Sequence, residues 1–415
     1  MSSPGLSRRL GLGDAVVIGL GAMIGAGVFA AFAPAAQAAG SGLLIGLGIA
    51  AVVAFGNATS TAQLAAVHPT SGGVYAYGRA ELGPWWGFLA GWGFVIGKTA
   101  SCAAMALTFA AYVAPPGWER PLAALAAVTL GAVNLLGITR TAQVARTLVT
   151  VVLVILALVT VAGFSAPPSA LGWSAGPLAA GPLGILQAGG ILFFAFAGYA
   201  RIATLGEEVR DPERTIPRAI VLAFSGALLV YALIGVVALG VLGPDALAAS
   251  SAPLVDVVRA AGWDAADPAV RIGAAAASLG ALLALIAGVG RTSFAMAREG
   301  DLPRILATVD ARWRVPRNAE ITVIAVVVVI VALGDVRGAI GFSSFGVLLY
   351  YLVANIAAFR QTGDARRYPR ILQIVGAAGC VALVVTLPWP AVPAGVGVLL
   401  AGLGYRMLRL RRQRA

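Results

Sequence analysis

The sequence contains little charge. Asp, Glu, Lys and Arg make up 11% of its 415 residues, whereas soluble domains carry about 25%. Hydrophobic residues make up 60%, and the mean hydropathy is +0.91. These values exclude a soluble enzyme, a nucleic-acid-binding domain and a disordered chain. At about 20 residues per span, the apolar residues suffice for about a dozen transmembrane helices, so the sequence predicts an all-α membrane protein.

Cysteine and histidine are also scarce. The two cysteines, Cys102 and Cys380, lie in apolar runs, and the one histidine, His68, precedes Pro69 in a polar turn. These numbers exclude a disulfide framework and a zinc motif built from paired Cys and His residues. The sequence also contains no phosphate-binding loop and no nucleophile elbow. We therefore expect no cofactor, no metal, no enzymatic activity and no ATP-driven transport.

Lysine is nearly absent, and the 28 arginines are distributed unevenly. Only Arg120, Arg259, Arg271 and Arg337 lie in one alternate set of loops, and all the others lie in the opposite set or near the termini. Because short cytoplasmic loops carry the excess of basic residues, the larger set predicts two cytoplasmic termini. The run Arg406–Arg414 is expected to bind anionic lipid. We expect a multi-pass protein of the cell (plasma or inner) membrane, with no nucleic-acid partner.

Hydropathy predicts twelve spans separated by short polar turns. They cover residues 13–38, 41–66, 84–113, 120–138, 142–164, 182–205, 217–242, 270–297, 318–334, 338–359, 369–387 and 391–408. The longest loop, 243–269, carries four aspartates against one arginine. We therefore place this loop outside the cell and expect a short helix within it.

Two of the predicted spans have irregular centres. Gly19–Phe29 in the first span contains four glycines within nine residues, and Phe193–Tyr199 lies at a similar depth five spans later. Paired interrupted segments are typical of inverted-repeat transporters, whose substrate binds where both helices unwind. Unwound backbone is tolerated in a membrane only where protein, water or ligand satisfies it. The alternative is that the small residues only allow helices to pack closely.

Five segments carry motifs, in order along the chain from about residue 11 to 361. They are Gly19–Phe29, Pro69–Tyr77, Gly83–Trp92, Glu207–Ile220 and Met296–Pro303. In the same order, they resemble five segments of the amino acid–polyamine–organocation superfamily of permeases and antiporters. These are the G-x-x-I-G-x-G-I/V-F signature, the P-T/S-S-G-G-x-Y-x-Y segment, the start of span 3, the E-E-x-x-N/D-P-x-R-x-I-P-x-A-I loop and the segment after span 8.

The resemblance implies a LeuT-like fold with twelve spans and alternating access. Spans 1–5 and 6–10 would form two inverted repeats, with helices 1 and 6 broken, and two further helices would follow at the C-terminus. The implied divisions are a cytoplasmic N-terminus at 1–12, repeats at 13–164 and 182–361, spans 11 and 12 at 369–408, and a basic cytoplasmic tail at 409–415.

The expected substrate site uses the ends of the broken helix 1. A zwitterionic amino acid presents a carboxylate and an ammonium close together, and helix ends match both. Amides of Gly25, Ala26 and Gly27 would receive the carboxylate. Carbonyls near Met23 and Ile24 would accept the ammonium.

The resemblance adds contacts from helix 6. Carbonyls near Phe194 and Ala197 would complete the ammonium site, and Phe194 falls at the aromatic gate position of the family. The alternative for Phe194 is ordinary packing, because Phe193 and Phe196 are its neighbours.

The class of the substrate's side chain is inferred from acidic and aromatic residues that the spans lack. All 17 carboxylates lie in loops or near predicted membrane ends, whereas a buried cationic substrate would need an acidic or aromatic partner. The related arginine/agmatine antiporters use a tryptophan of span 8, and Ala281–Leu285 here contains none. A neutral, small or apolar amino acid is therefore favoured over a cationic amino acid or a polyamine.

Lys98 is the most informative single residue, because it is the only lysine and lies near the middle of span 3. Ionisable groups at this depth face the protein interior and are functional by default. Burial disfavours the charged amine, so Lys98 can couple transport to protons. Direct contact with the substrate carboxylate and a structural bond to broken-helix carbonyls are the alternatives. A lysine in span 5 serves some proton-coupled relatives, but Val152 occupies that place here.

Charged residues at the inner ends of the spans suggest a gate. Arg201 and Arg291 could form ion pairs with Asp14 or with Glu207 and Glu208, although arginines also extend to lipid headgroups.

Together, the composition, the interrupted spans and the family resemblance predict a secondary transporter of amino acids, driven by protons or by exchange. The oligomeric state, the particular amino acid and the direction of transport stay open.

Overall fold

The computed structural model describes residues 10–70, 72–137, 142–166, 176–203, 205 and 208–414. These residues form seventeen α-helices and five short 3₁₀ turns, with one isolated parallel bridge between Leu10 and Val209 and no strand. The helices are α1 (Leu12–Met23), α2 (Ala26–Ala30), α3 (Phe32–Ala39), α4 (Leu43–Val67), α5 (Gly73–Leu82), α6 (Pro84–Val113), α7 (Glu119–Leu135), α8 (Ala142–Ser165), α9 (Gly181–Phe196), α10 (Ala200–Ala203), α11 (Pro212–Ala249), α12 (Pro253–Ala260), α13 (Asp267–Arg298), α14 (Arg317–Leu333), α15 (Val336–Arg360), α16 (Arg370–Thr386) and α17 (Ala391–Arg414).

Nine helical segments in the described part of the chain are long and apolar enough to cross a membrane. They are Leu12–Ala30, Phe32–Val67, Pro84–Val113, Ala145–Ser165, Gly181–Ala203, Pro212–Ala249, Asp264–Arg298, Val336–Arg360 and Ala391–Arg411. The chain is therefore a multi-pass membrane protein. Three further helices, α7, α14 and α16, contain 17 residues each, which corresponds to about 25 Å of helix.

The first predicted span is interrupted within its glycine run. α1 ends at Met23, the backbone of Ile24 (φ −79°, ψ 50°) and Gly25 (φ −93°, ψ −138°) is not helical, and α2 begins at Ala26. Ala31 joins α2 to α3 with helical dihedral angles, so the break is confined to two residues.

The sixth predicted span is interrupted in a different way. α9 ends at Phe196, a 3₁₀ turn covers Ala197–Tyr199, and α10 resumes the α-helix for one turn. The turn tightens the backbone without unwinding it, because the amide of Ala197 donates to the carbonyl of Phe194.

The predicted outer loop contains the expected short helix, α12, at Pro253–Ala260. The helix before it, α11, extends to Ala249, but its backbone breaks at Gly243 (φ 74°) before Pro244. A positive φ favours glycine, so Gly243 marks the end of the long continuous part of α11.

Glycine contacts bring the main helices together. α6 packs along α13 and α15, while α4 packs along α9 and α11. A Cβ atom at Gly346 of α15 would lie 2.6 Å from the carbonyl oxygen of Gly93 and 2.8 Å from the amide of Gly97. Close contacts through small residues are the usual means of helix association in membranes. They hold α6, which carries Lys98, firmly against α15.

Candidate functional site

The two interruptions lie against each other. A Cβ atom on Gly198 would lie 2.5 Å from the amide nitrogen of Met23 and still closer to the carbonyl of Ala22. A Cβ atom on Gly27 would lie 2.7 Å from Cα of Ala195. The end of α1, the start of α2 and the turn after α9 therefore share one buried junction, which contains the residues predicted to contact the substrate.

The start of α2 presents backbone amides at this junction. The first amides of a helix have no partner within the helix, and no side chain caps α2. Gly25, Ala26 and Gly27 are all buried. A Cβ atom on Gly25 would lie 2.9 Å from that of Ala281, so glycine allows α13 to approach the break. The local dipole favours a negative group here.

The carbonyl of Met23, at the end of α1, has a partner that sequence reasoning missed. The hydroxyl of Tyr231 in α11 lies 2.7 Å from this oxygen and 2.9 Å from the carbonyl oxygen of Ala195 in α9. Tyr231 is fully buried and packs edge-on against Phe196. It therefore bridges both broken helices. A tyrosine within an aliphatic run was the signal available in the sequence.

Lys98 reaches the second break. Its Nζ donates to the carbonyl oxygen of Ala197 at 3.1 Å, and the hydroxyl of Tyr351 in α15 donates to the same oxygen at 3.2 Å. The Lys98 residue is 6% exposed. The carbonyl expected to accept a substrate ammonium thus already binds a protein amine. This geometry is that of the alternative in which Lys98 bonds to a broken-helix carbonyl.

Phe194 lies in the last turn of α9 and is buried. Its carbonyl accepts the amide of Ala197 within the 3₁₀ turn. The flanking phenylalanines have aromatic partners, since Phe193 packs edge-on against Tyr351 and Phe196 against Tyr231. The expected gate role of Phe194 stays a prediction.

The candidate gate residues lie at one end of the spans, but Asp14 pairs with neither of the two arginines expected for it. Asp14 forms an ion pair with Arg146 of α8, and it also accepts the amide of Gly11. The charge of Arg201 in α10 interacts with those of Arg291 and Glu208. The other acid expected in this gate, Glu207, lies outside the described residues.

A backbone bridge joins Leu10, just before α1, to the loop after α10 on the same side as the candidate gate. The amide of Leu10 donates to the carbonyl of Glu208, and the amide of Arg210 donates to the carbonyl of Leu10. This bridge ties the segment before α1 to the segment after α10, so the ends of both interrupted spans are held together.

A buried ionic cluster ties α5, α17 and the loop after α13 together. Asp301 is 4% exposed and accepts the hydroxyl of Tyr75 at 3.0 Å, Arg79 at 3.1 Å and Arg406. The Arg406 guanidinium also lies over the ring of Phe88 at 4.8 Å. Burial, followed by the negative charge of Asp301, raises the pKa of the Tyr75 phenol well above its ordinary value. Arg406, which was expected to bind anionic lipid as part of the run Arg406–Arg414, is instead buried in this ion pair.

Polar side chains also connect α4 with α15 and the loop after it. Gln63 donates to Gln361 at 3.0 Å, and Gln361 donates to Glu81 at 2.6 Å. Nε2 of His68 lies 2.8 Å from the same carboxylate of Glu81. His68 is therefore paired with an acid.

Three relatives of this chain are described as transport proteins. An uncharacterized transporter of Mycobacterium tuberculosis (strain ATCC 25618 / H37Rv) is 57% identical over an alignment of 415 positions, which covers 99% of this chain and 93% of that protein. The branched-chain amino acid permease BcaP of Bacillus subtilis is 27% identical, over 98% of this chain and 94% of the relative. The cationic amino acid transporter 4 of Homo sapiens is 27% identical, over 83% of this chain and 58% of the relative.

The description of the matching family agrees with the resemblance found in the sequence motifs. The sequence model described as "Amino acid permease" matches residues 10–406, which is nearly the whole chain. Both the family and the named relatives are transporters rather than enzymes. The chain is a membrane transporter and belongs to the amino acid permease family.

Proposed function

We propose that this protein is a secondary active transporter of neutral amino acids, with small or apolar side chains favoured, that works by alternating access. The observation that carries this proposal is the contact between two interrupted helices, with Gly198 seated against Ala22 and Met23. Family membership supplies the substrate class. The likeness to a branched-chain amino acid permease over 98% of the chain supports an apolar side chain.

The backbone of the junction holds the charged ends of the substrate. Amides of Gly25, Ala26 and Gly27 bind the carboxylate, because they are the unpaired first amides of a helix. Carbonyls of Met23 and Ile24, at the end of the preceding helix, bind the ammonium.

Helix 6 completes the ammonium site through Ala197 and through the segment around Phe194. A carbonyl oxygen has two lone pairs, so Ala197 can accept a substrate ammonium once the Lys98 amine has lost its proton or has moved away. The ring of Phe194 covers the bound substrate as a gate.

Charge at the junction supports a neutral side chain. Within the described residues, the buried acids are Asp301 and Glu320. Asp301 is engaged with two arginines, and Glu320 lies in α14. Lys98 adds a positive group beside the breaks, which disfavours a cationic substrate through like-charge repulsion.

The alternative function is a permease or antiporter for cationic amino acids or polyamines. It is favoured by the likeness to a human cationic amino acid transporter over 83% of the chain. A cationic substrate would have to place its side chain away from Lys98.

The proposed architecture is LeuT-like, with twelve spans. α7, α14 and α16 add three spans to the nine longer segments, and each exposes apolar side chains such as Leu125, Val329 and Val385. The repeats are residues 13–164 and 182–361, followed by spans 11 and 12 at 369–408. The breaks after Met23 and Phe196 support this division because they occur five predicted spans apart.

The proposed location is the cell (plasma or inner) membrane. The arginine distribution supports cytoplasmic positions for the N-terminus at 1–12 and for the basic tail at 409–415. Asp14, Arg201 and Arg291 then form the inner gate, with Arg146 as an additional member through its ion pair with Asp14.

Transport is driven by protons or by exchange, and Lys98 is the coupling residue at the junction. A substrate ammonium that approaches Ala197 repels the ammonium of Lys98, so binding favours loss of the Lys98 proton. Gradient-driven uptake that persists unchanged in Lys98→Ala contradicts this role. A contact between Lys98 and the substrate carboxylate remains the second candidate role.

Uptake into proteoliposomes tests the proposed function. The purified protein is reconstituted, and uptake of radiolabelled leucine, alanine, arginine and putrescine is measured with and without a pH gradient and an internal counter-substrate. We expect transport of leucine or alanine and little transport of arginine or putrescine. Preferred transport of arginine or putrescine supports the alternative function, and transport of none of the four contradicts both.

A further inference from the structure

Glu320 is a buried acid that the sequence analysis placed only near the end of a span. It is the fourth residue of α14 and is 2% exposed. Its Oε2 atom is buried and has no hydrogen-bond partner, and within the described part of the chain Glu320 forms no ion pair. An ionised carboxylate in this setting is unfavourable, because it has lost water and gained no partner.

The neighbouring helix is shaped to accept the Glu320 side chain. A Cβ atom on Gly290 of α13 would lie 2.6 Å from Cγ of Glu320. Only glycine leaves this space, so the carboxyl packs directly over the backbone of α13. The next residue, Arg291, is exposed and is the charged group that acts on Glu320.

The other charged groups on the surrounding elements are engaged elsewhere. α14 packs against α6, α7, α13 and the 3₁₀ turn Arg304–Ala307. The charged residues of those elements, apart from Arg291, are Lys98, Glu119, Arg120, Asp267, Arg271, Arg298 and Arg304. Lys98 bonds to Ala197, and Arg120 bonds to Gly334 beyond the far end of α14.

The remaining groups of that set lie at the two ends of the helices. Glu119 begins α7, and Asp267 and Arg271 form an ion pair at the start of α13. Arg298 lies over Phe294 at the end of α13, and Arg304 is exposed. Arg317, three positions before Glu320 on α14 itself, forms an ion pair with Asp310. Arg291 is therefore the group that can respond to Glu320.

We propose that Glu320 is a proton-binding site coupled to transport, with Arg291 as its partner after the proton leaves. This inference rests on the proposed function and supplies its driving ion. In the conformation seen here the carboxyl keeps its proton. When the inner side opens, the O–H bond of Glu320 breaks, the proton passes to cytoplasmic water, and the Arg291 guanidinium pairs with the carboxylate.

The site also connects coupling to the candidate gate. The charge of Arg291 interacts with that of Arg201 in α10, which follows the second interruption. When Arg291 moves toward an ionised Glu320, the repulsion between the two arginines decreases. Proton release and movement of α10 are thereby linked through one side chain.

Glu320→Gln tests the proposal because glutamine has the shape of a protonated glutamate and cannot release a proton. Leucine transport into proteoliposomes is measured in two ways, as accumulation driven by an acidic exterior and as leucine–leucine counterflow at equal pH. We expect accumulation to fall at least tenfold, to the level without a gradient, while counterflow stays within about twofold of wild type. The matched control is Glu213→Gln, which changes an exposed glutamate in the first turn of α11. This variant should change neither accumulation nor counterflow.

Two results overturn the proposal while leaving the proposed function intact. One is gradient-driven accumulation in Glu320→Gln that equals wild type, which would assign the proton to Lys98 alone. The other is wild-type exchange that does not respond to pH. Absence of leucine and alanine transport in the wild type contradicts the proposed function itself.

A spectroscopic measurement tests the site independently of transport. Infrared difference spectra between acidic and alkaline pH should show a protonated carboxyl band in the wild type that Glu320→Gln lacks. An unchanged band in Glu320→Gln contradicts the assignment. If Glu320→Gln does not fold, Glu320→Asp retains a titratable group and should shift the midpoint of the pH profile of accumulation. An unshifted midpoint counts against the proposal.

Discussion

The hydrogen bond between Lys98 and Ala197 gives the sharpest prediction about the junction. Nζ of Lys98 lies 3.1 Å from the carbonyl oxygen and is buried. A hydrogen bond from a charged donor contributes about 1.5–3 kcal/mol, which corresponds to about 10- to 150-fold in an equilibrium. Lys98→Met removes this bond and keeps an apolar chain of similar length. We expect the rate of leucine counterflow at saturating substrate to fall by about this factor, because the turn after α9 loses its charged tether.

Two variants calibrate that result. Tyr351→Phe removes the neutral donor to the same carbonyl, and a neutral hydrogen bond contributes about 0.5–1.5 kcal/mol, so the loss should be smaller than in Lys98→Met. Thr99→Val changes the neighbouring residue, whose hydroxyl bonds only within its own helix to Val95, and should leave the rate within about threefold. Counterflow in Lys98→Met that matches Thr99→Val would refute the reasoning.

Three further predictions concern packing and polar contacts. Tyr231→Phe leaves the carbonyl of Met23 without its donor, so the free energy of unfolding should fall by about 1–3 kcal/mol, the cost of a buried unsatisfied group. A melting curve in detergent measures this, and an unchanged melting temperature contradicts it. Gly198→Ala forces the two breaks apart and should abolish uptake. Gly240→Ala is the control and should retain uptake, because an added Cβ atom there has no neighbour within 4 Å. Equal uptake by the two variants contradicts the role of the junction in transport. Arg406→Ala breaks a buried ion pair and should reduce the free energy of unfolding by about 3–5 kcal/mol, seen as a lower melting temperature in detergent; an unchanged melting temperature contradicts the role of the cluster.

Sequence reasoning predicted the interruption of the first span because its cause is local. Four glycines within nine residues weaken a helix wherever they occur, and the structure breaks this run at Ile24 and Gly25. The burial of Lys98 was predictable for a similar reason, since one charge within an apolar run must face the interior of the protein. Its position in the middle of α6 agrees with this expectation.

The partners of buried polar groups could not be predicted, because tertiary packing selects them. Tyr231 contacts Met23 across 208 positions of sequence, and nothing near either residue specifies the other. Asp14 had several candidate arginines at the inner ends of the spans, and the approach of α8 selects Arg146. Glu320 lies near the end of a predicted span, and its packing against Gly290 of α13 depends on the tertiary fold.

The central claim is that the junction of the interrupted helices binds a neutral amino acid. Its most direct test is counterflow of radiolabelled leucine in proteoliposomes of the wild-type protein, in competition with unlabelled alanine, arginine and putrescine. The account predicts that leucine exchanges and that alanine competes, while arginine and putrescine do not. Equal competition by arginine or putrescine, or no exchange of leucine and alanine at all, would contradict it.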